Sequence, residues 1–200
     1  MARPLAIFAE DKLTEAVLQK CVAEYLPDHT VIRSDVACGR GNVKKSLAAY
    51  ANLASSMPVI IGVDLDHDPC PPQLLSDWDV AGFNNANLIV RVAVREVEAW
   101  VLADKKRFAN FVGGTSDHIP SSPDEIEDPK RLLLEFARAT ASDDLKRDLI
   151  PINFGQYPRI GPAYNLRMCK FVRDRWRPHV AGGRSASLAR AIRALESLRA

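Results

Sequence analysis

The chain has 200 residues, of which 47% are apolar and 26% are charged, as is usual for a globular domain with a full hydrophobic core. No apolar run reaches the ~18 residues of a transmembrane helix, and the N-terminal sequence becomes acidic too early for a signal peptide. We therefore expect a cytoplasmic protein without a membrane partner. The four cysteines form no CxxC pair, which argues against a zinc site.

The net charge of +2 is unevenly distributed along the chain. Residues 1–150 contain 17 basic and 23 acidic residues, whereas residues 151–200 contain 10 basic and 2 acidic residues. A basic C-terminal segment favours contact with a polyanion such as nucleic acid. Docking of this segment on the acidic body of the same chain explains the charges equally well.

Strand-like and helix-like segments alternate along the first half of the chain. Apolar runs predict strands at LAIFA (5–9), 30–37, PVIIGVDLD (58–66) and NLIVRVAV (87–94). Helical spacing predicts helices from an N-cap at Thr14 to Leu26, and over 42–56, 71–78 and 96–112. This order predicts an α/β fold, with a parallel sheet of about four strands flanked by helices.

The composition changes after residue 112. Residues 113–129 are rich in Gly, Ser, Pro and acids, which predicts a loop. Further helices are predicted over 129–139, 163–177 and 185–199, with Asp128 and Ser185 as N-caps of the first and last. We therefore divide the chain into a core, 1–112, and a loop with a basic helical extension, 113–200, that packs on the core.

Acidic residues follow three of the four predicted strands. They are Glu10 and Asp11, then Asp64, Asp66 and Asp68, and then Glu96 and Glu98. Open α/β sheets carry their sites beyond the carboxyl ends of the strands. Clustered carboxylates need a compensating cation, and Mg²⁺ prefers oxygen ligands. Because residues two apart on an extended segment point the same way, we expect Asp64 and Asp66 to reach one ion.

Simpler explanations exist for some of these acids. A solvated loop or a helix N-cap explains an Asp-x-Asp sequence by itself, and the acid after the first strand is what favours metal binding. Glu96 and Glu98 lie in the first turn of a predicted helix, where acids suit the helix dipole whether or not they bind a metal.

Three motifs together resemble a Toprim domain, the fold of topoisomerases, primases and overcoming-lysogenization-defect (OLD) nucleases. They are AIFAEDKLTEAVL (6–18), GRGN (39–42) and VIIGVDLDHD (59–68). The Toprim pattern has a glutamate after strand one, a glycine turn after strand two and Asp-x-Asp after strand three. The matching residues here are Glu10, Gly39, Gly41, Asp64 and Asp66.

Nearly the whole chain is also similar to the bacterial domain-of-unknown-function 4276 family of Toprim-like proteins. The segments that resemble its later signatures are REVEAWVLAD (95–104), DPK (128–130), GPAYN (161–165) and RDRW (173–176). The Toprim resemblance itself covers about the first half of the chain.

The resemblance implies a nuclease, dependent on Mg²⁺ or Mn²⁺, that hydrolyses phosphodiester bonds in DNA or RNA. It implies catalytic roles for Glu10, Asp64 and Asp66, and metal ligands among Glu10, Asp64, Asp66, Asp68, Glu15, Glu96 and Glu98. Two positions depart from the pattern: Asp11 stands where glycine is usual, and Thr14 where an acid is expected. A second metal site would therefore depend on Glu15, Glu96 or Glu98.

Two sets of residues are candidates for phosphate or nucleic-acid binding. Gly39 and Gly41 precede a helix whose N-terminus, with Lys44 and Lys45, is suited to an anion, although a tight structural turn explains the glycines equally well. In the basic extension the candidates are Arg159, Tyr164, Arg167, Lys170 and Arg173. A solvated helix face is the alternative for these.

Three functions compete on this sequence. The first is the Toprim nuclease, as the effector of a phage-defence system with an ATPase partner, since Toprim relatives are often encoded beside ATPases. The second is a catalytically weak or inactive binding or regulatory subunit of an ATPase complex, which Thr14 favours. A receiver-like phosphoacceptor domain fits poorly because no lysine follows a fifth strand. A homo-oligomer is compatible with the first two.

Overall fold

The computed structural model describes residues 2–153 and 160–199. Within these ranges, four parallel strands form a sheet with the spatial order β2-β1-β3-β4. The strands are β1 (Arg3–Ala9), β2 (His29–Val36), β3 (Val59–Asp64) and β4 (Leu88–Ala93). This confirms the predicted α/β fold with a parallel sheet of four strands.

Helices connect the strands and form the C-terminal part of the chain. They are α1 (Lys12–Tyr25), α2 (Arg40–Ala54), α3 (Pro71–Asp77), α4 (Val97–Ala103), α5 (Lys105–Phe111), α6 (Pro129–Thr140), α7 (Asp143–Leu149), α8 (Tyr164–Asp174), α9 (Pro178–Gly182) and α10 (Ala186–Glu196). None of the helices in the described ranges is both long and apolar enough to cross a lipid bilayer.

The two faces of the sheet carry separate hydrophobic clusters, because side chains alternate along each strand. On β1, Leu5 and Ile7 belong to one cluster, while Ala6 and Phe8 belong to the other. Helices α2 and α3 cover the Phe8 face. The Ile7 face is covered by α1 and α4 together with α6, α8, α9 and α10, so much of the C-terminal extension shares a core with β1.

The predicted helix over 96–112 is interrupted at Asp104. The backbone of Asp104 is not helical, and its fully buried carboxylate binds Arg177 through both oxygens, at 2.9 Å from Nε and 2.8 Å from Nη2. The periodic apolar pattern did not reveal this break, because its cause lies 73 residues further along the chain.

Several predicted helix ends also differ from the structure. The N-cap of α1 is Asp11 and not Thr14, since Asp11 Oδ1 accepts the Thr14 N–H at 2.8 Å. Helix α2 begins at Arg40, two residues earlier than predicted, and α7 and α9 were not predicted. The predicted N-caps Asp128 and Ser185 are confirmed, since each accepts a hydrogen bond from the backbone three residues on.

Candidate active site

The ends of β1 and β3 lie side by side at the centre of the sheet. The chain leaves β1 toward β2 on one side and returns through β3 on the other, which makes this the switch point where open α/β sheets bind ligands. The backbone N–H of Asp64 donates to Glu10 Oε2 at 3.1 Å. The Glu10 side chain, just after β1, is therefore in contact with the backbone at the end of β3.

Glu10 is half-buried at this junction. Burial raises the pKa of its carboxyl group, the hydrogen bond from the Asp64 backbone opposes that shift, and the nearby Asp66 and Asp11 carboxylates raise the pKa further. A cation beside Glu10 would stabilise its ionised form.

Asp64 is the last residue of β3, and its side chain is only 5% exposed. Its Oδ1 accepts the backbone N–H of Val97, at the start of α4, at 2.8 Å. Burial raises the pKa of Asp64 well above its usual value, and Glu98 and Asp11 add to the rise. Asp64 therefore faces α4 and the interior of the protein.

Asp64 belongs to a largely buried group of side chains that we call the inner cluster. Its members are Asp64, Glu96, Glu98, Lys130 and Tyr164. The Tyr164 hydroxyl donates to Glu98 Oε1 at 2.8 Å, and Lys130 Nζ lies 3.4 Å from the same oxygen. Lys130 Nζ is also 3.3 Å from Glu96 Oε1, and its backbone N–H donates to Glu96 Oε2 at 2.9 Å. Lys130 is thus the cation of the inner cluster.

The electrostatics of the inner cluster reflect its burial. Burial raises the pKa of Glu98 to about 7, against the opposing effect of Lys130. Burial lowers the pKa of Lys130, but Glu98 and Glu96 outweigh this effect, so that its pKa is raised overall. In the described ranges, the second Glu98 oxygen, Oε2, has no hydrogen-bond partner. The cluster therefore retains one buried acceptor.

A more exposed set of charges, which we call the outer group, consists of Glu10, Arg40, Asp66 and Asp68. The Arg40 guanidinium binds Asp68, lies 3.7 Å from Asp66 Oδ2, and donates to the Leu65 carbonyl at 3.0 Å. The negative charge of Asp66 raises the pKa of Glu10. The outer group thus combines accessible carboxylates with one partly exposed arginine.

The prediction that the side chains of Asp64 and Asp66 point the same way was wrong. The extended strand ends at Asp64, and Asp66 has a φ of 50°, in the left-handed region. The side chains of these two residues have different partners, Val97 for Asp64 and Arg40 for Asp66. The rule of alternation therefore failed because the strand stops two residues too early.

The side chains at the ends of β1 and β3 could supply a metal ion with only one or two ligands. Within the described ranges, no group of three or more His, Cys, Asp and Glu side chains is arranged to hold a metal. Mg²⁺ commonly takes only one or two protein carboxylates and completes its shell with water and phosphate. The accessible pair that suits this need is Glu10 and Asp66, whereas Glu96 and Glu98 already contact Lys130.

The other predicted ligand and phosphate-binding residues are spread more widely. Glu15 accepts a hydrogen bond from the Ser34 hydroxyl of β2. Gly39 precedes α2 with a φ of 123°, but Gly41 lies inside that helix and not in the predicted turn. Lys44 and Lys45 are exposed on α2.

The C-terminal candidates within the described residues have different surroundings. The prediction for Tyr164 was wrong, because its ring is 2% exposed and its hydroxyl binds Glu98. Arg167 pairs with Asp148 at 2.5 Å and Lys170 with Asp174 at 2.8 Å, while Arg173 is exposed. Arg159 lies outside the described residues.

The basic extension also contacts the acidic body of its own chain, as the alternative interpretation of its charge expected. Arg177 binds the buried Asp104, and His179 Nδ1 lies 2.8 Å from Glu24 Oε1. The Arg177 contact accounts for part of the positive charge of the extension without any partner.

A cleft of about 400 Å³ runs beside the site and joins its two parts. Its lining includes Asp66 of the outer group and Glu96 of the inner cluster. It also contains a histidine, two arginines and two further acids, namely His67, Arg95, Arg131, Glu127 and Asp128. Arg95 fixes one wall by donating to the backbone carbonyls of Asp66 and Asp68, at 3.0 and 2.9 Å.

Sequence reasoning did not identify Lys130 as part of the site. The signal that could have found it is the set of later signature segments, because Glu98, Lys130 and Tyr164 belong to REVEAWVLAD, DPK and GPAYN in turn. The structure brings these three segments together in the inner cluster. Comparison of the chain with protein-family models, with curated proteins and with solved structures returned no match.

Proposed function

We propose that this chain is a Mg²⁺-dependent nuclease of the Toprim type that hydrolyses phosphodiester bonds in DNA or RNA. The observation that carries the proposal is the contact between Glu10 and the backbone of Asp64 at the switch point of the sheet. It brings the ends of β1 and β3 to one position, and Asp66, two residues after β3, lines a cleft.

In this proposal, Glu10 and Asp66 hold the metal ion, and Mn²⁺ serves in place of Mg²⁺. A bound Mg²⁺ supplies charge neutralisation at the phosphate and a more acidic water. Asp64 fixes the start of α4 by accepting the Val97 N–H.

Arg40 has a separate role in the proposal. Its guanidinium is partly exposed and lies between Asp66 and Asp68. A planar guanidinium suits phosphate oxygens, so Arg40 would contact a substrate phosphate as the metal ion takes over Asp66. In the free protein, the positive charge of Arg40 offsets the charges of Asp66 and Asp68. The site therefore repels an anionic substrate less than the two acids alone would.

Cleavage of supercoiled plasmid DNA and of single-stranded RNA, each with Mg²⁺ and with Mn²⁺, tests this function. We expect Glu10→Gln and Asp66→Asn to lower the cleavage rate by ~10²-fold or more, since each variant removes a carboxylate that holds the metal ion. The control is Asp77→Asn, an exposed acid on α3, which leaves the rate unchanged. Cleavage that survives both site substitutions would reject the proposed active site.

A second candidate function is a catalytically weak or inactive binding or regulatory subunit. It is favoured by the way Lys130 and Arg40 already neutralise the acids, and by the lack of a three-residue metal group in the described ranges. Absence of cleavage with either metal, both alone and with an ATPase partner, together with retained binding to that ATPase, would support this function over the nuclease.

The partners in this proposal follow from the resemblance stated above. Nucleic acid is the substrate, and an ATPase encoded beside the gene is the candidate that gates cleavage, in the setting of phage defence. Size-exclusion chromatography with light scattering, on the chain alone and mixed with such an ATPase, would measure both the complex and any homo-oligomer.

A further inference from the structure

Lys130 is held inside the inner cluster by more than its charge. It is the second residue of α6, directly after the N-cap Asp128 and Pro129. Its backbone N–H donates to Glu96 Oε2, while its ammonium group reaches Oε1 of the same carboxylate at 3.3 Å. Because backbone and side chain bind one carboxylate together, the ammonium group is fixed in position.

The ammonium group lies where acids from two strand ends and from α4 converge. It is 3.4 Å from Glu98 Oε1, and the charges of Asp64 and Asp11 also act on it. Its side chain is only 22% exposed. A second divalent ion at Glu96 and Glu98 could reach the unpartnered Glu98 Oε2, but it would lie a few ångströms from a fixed positive charge, which is strongly unfavourable in a buried site.

The outer group is different, because no lysine side chain holds its acids. Its cation is Arg40, whose guanidinium contacts Asp68 and lies further, at 3.7 Å, from Asp66. Glu10 accepts hydrogen bonds from backbone groups and forms no ion pair among the described residues. A divalent ion therefore meets less competition at Glu10 and Asp66 than at the inner cluster.

We propose that Lys130 is a built-in cation that takes the place of a second divalent ion, so that the site binds one Mg²⁺ at Glu10 and Asp66. The inference rests on the proposed metal-dependent function and specifies its metal requirement. In this arrangement Lys130 is a positioning residue, because it holds Glu96 and Glu98 and acts on the bound ion only through the charge of the cluster.

The test is a titration of the full chain with Mn²⁺, in which electron paramagnetic resonance measures the free ion without any nucleic acid. The wild-type protein should bind one Mn²⁺. Lys130→Met keeps much of the apolar stem and removes the charge, so this variant should bind a second Mn²⁺. Lys130→Arg keeps the charge and should bind one ion, as should the control Lys45→Met on the exposed side of α2.

A double variant locates the second ion. Lys130→Met combined with Glu98→Gln should return to one Mn²⁺, because the second ion needs the Glu98 carboxylate. Two ions in both the double variant and Lys130→Met would place the extra ion elsewhere and overturn the inference. Circular dichroism on each variant verifies that the fold is retained.

The outcomes separate this inference from the function on which it rests. Two Mn²⁺ ions in the wild type, with cleavage activity, would overturn the role of Lys130 and leave the nuclease in place. One ion in both the wild type and Lys130→Met, with equal affinity, would also overturn it. No bound ion in the wild type would remove the proposed metal-dependent function together with the inference. The wild-type stoichiometry is decisive even if Lys130→Met fails to fold.

Discussion

The inner cluster and the outer group contain the same kinds of side chain but differ in burial. In the inner cluster, Glu98 is fully buried and its compensating charge, Lys130, is fixed by the backbone of α6. In the outer group, Asp66 is 40% exposed and its partner Arg40 is held less closely. Buried acids need a permanent counter-charge, whereas exposed acids can exchange theirs for a metal ion.

The comparison shows that acid content alone does not identify a metal site. Glu96, Glu98 and Asp66 all follow strands at the same edge of the sheet, and the sequence alone does not show which of them are buried. Burial and the position of Lys130 make the difference. Removing the cation should therefore cost much more stability in the inner cluster than in the outer group.

The largest effect is expected for Lys130→Met. Removing one partner from a buried ion pair leaves an uncompensated charge, which should lower the free energy of unfolding by about 3 kcal/mol at pH 8. Urea denaturation measures this change, and the matched control Lys45→Met should cost less than ~0.5 kcal/mol. A loss as small as that of the control would show that the inner cluster does not depend on its lysine.

The next effect concerns pH. Because burial raises the pKa of Glu98 to about 7, from 4.5 for an ordinary glutamate, the folded protein holds this proton more tightly than the unfolded chain. The resulting stabilisation is complete below pH 4.5 and is lost as the pH rises to about 7. Burial of Asp64 raises its pKa and acts in the same direction.

We therefore expect the free energy of unfolding to fall by on the order of 2 kcal/mol over this pH range. In Glu98→Gln, which cannot titrate, most of this fall should disappear. Urea denaturation of both proteins across the range is the measurement. The same slope in the wild type and in Glu98→Gln would mean that other groups cause the pH dependence.

A smaller effect is expected for Tyr164→Phe. The variant loses one hydrogen bond to a buried carboxylate, which should cost about 1–2 kcal/mol. Since the Tyr164 hydroxyl lowers the pKa of Glu98, its removal should also move the pH-dependent loss of stability to higher pH. An unchanged pH profile would contradict the hydrogen bond between Tyr164 and Glu98.

The smallest effect on stability is expected in the outer group. Arg40→Met removes a partly exposed cation, and exposed ion pairs contribute ~1 kcal/mol or less. The same variant should bind Mn²⁺ more tightly than the wild type, because Arg40 no longer competes for Asp66. Large destabilisation without a gain in metal affinity would show that the two regions do not differ as described.

The position of the site at the ends of β1 and β3 could be predicted, because local sequence determines where each strand ends. The apolar runs of β1 and β3 end at Glu10 and Asp64, and parallel strands bring their carboxyl ends to one edge. Where each strand ends depends only on residues close together in the chain, and the parallel order of the strands then brings Glu10 and Asp64 together although they are 54 residues apart. The contact between Glu10 and Asp64 was therefore within reach of sequence reasoning.

The inner cluster could not be predicted in the same way. Lys130 is 34 residues from Glu96, and Tyr164 is 66 residues from Glu98. Their contacts depend on how α6 and α8 pack on α4, which no periodic pattern encodes. The same limit applies to Asp104, where a partner 73 residues away interrupts an otherwise continuous helix pattern.

The most direct test of the account is a crystal of the protein soaked in Mn²⁺, with the ion located by its anomalous scattering. The account predicts one peak, at Glu10 and Asp66, with the ammonium group of Lys130 still between Glu96 and Glu98. A peak at Glu96 and Glu98 with Lys130 displaced, or no peak at the ends of β1 and β3, would contradict it.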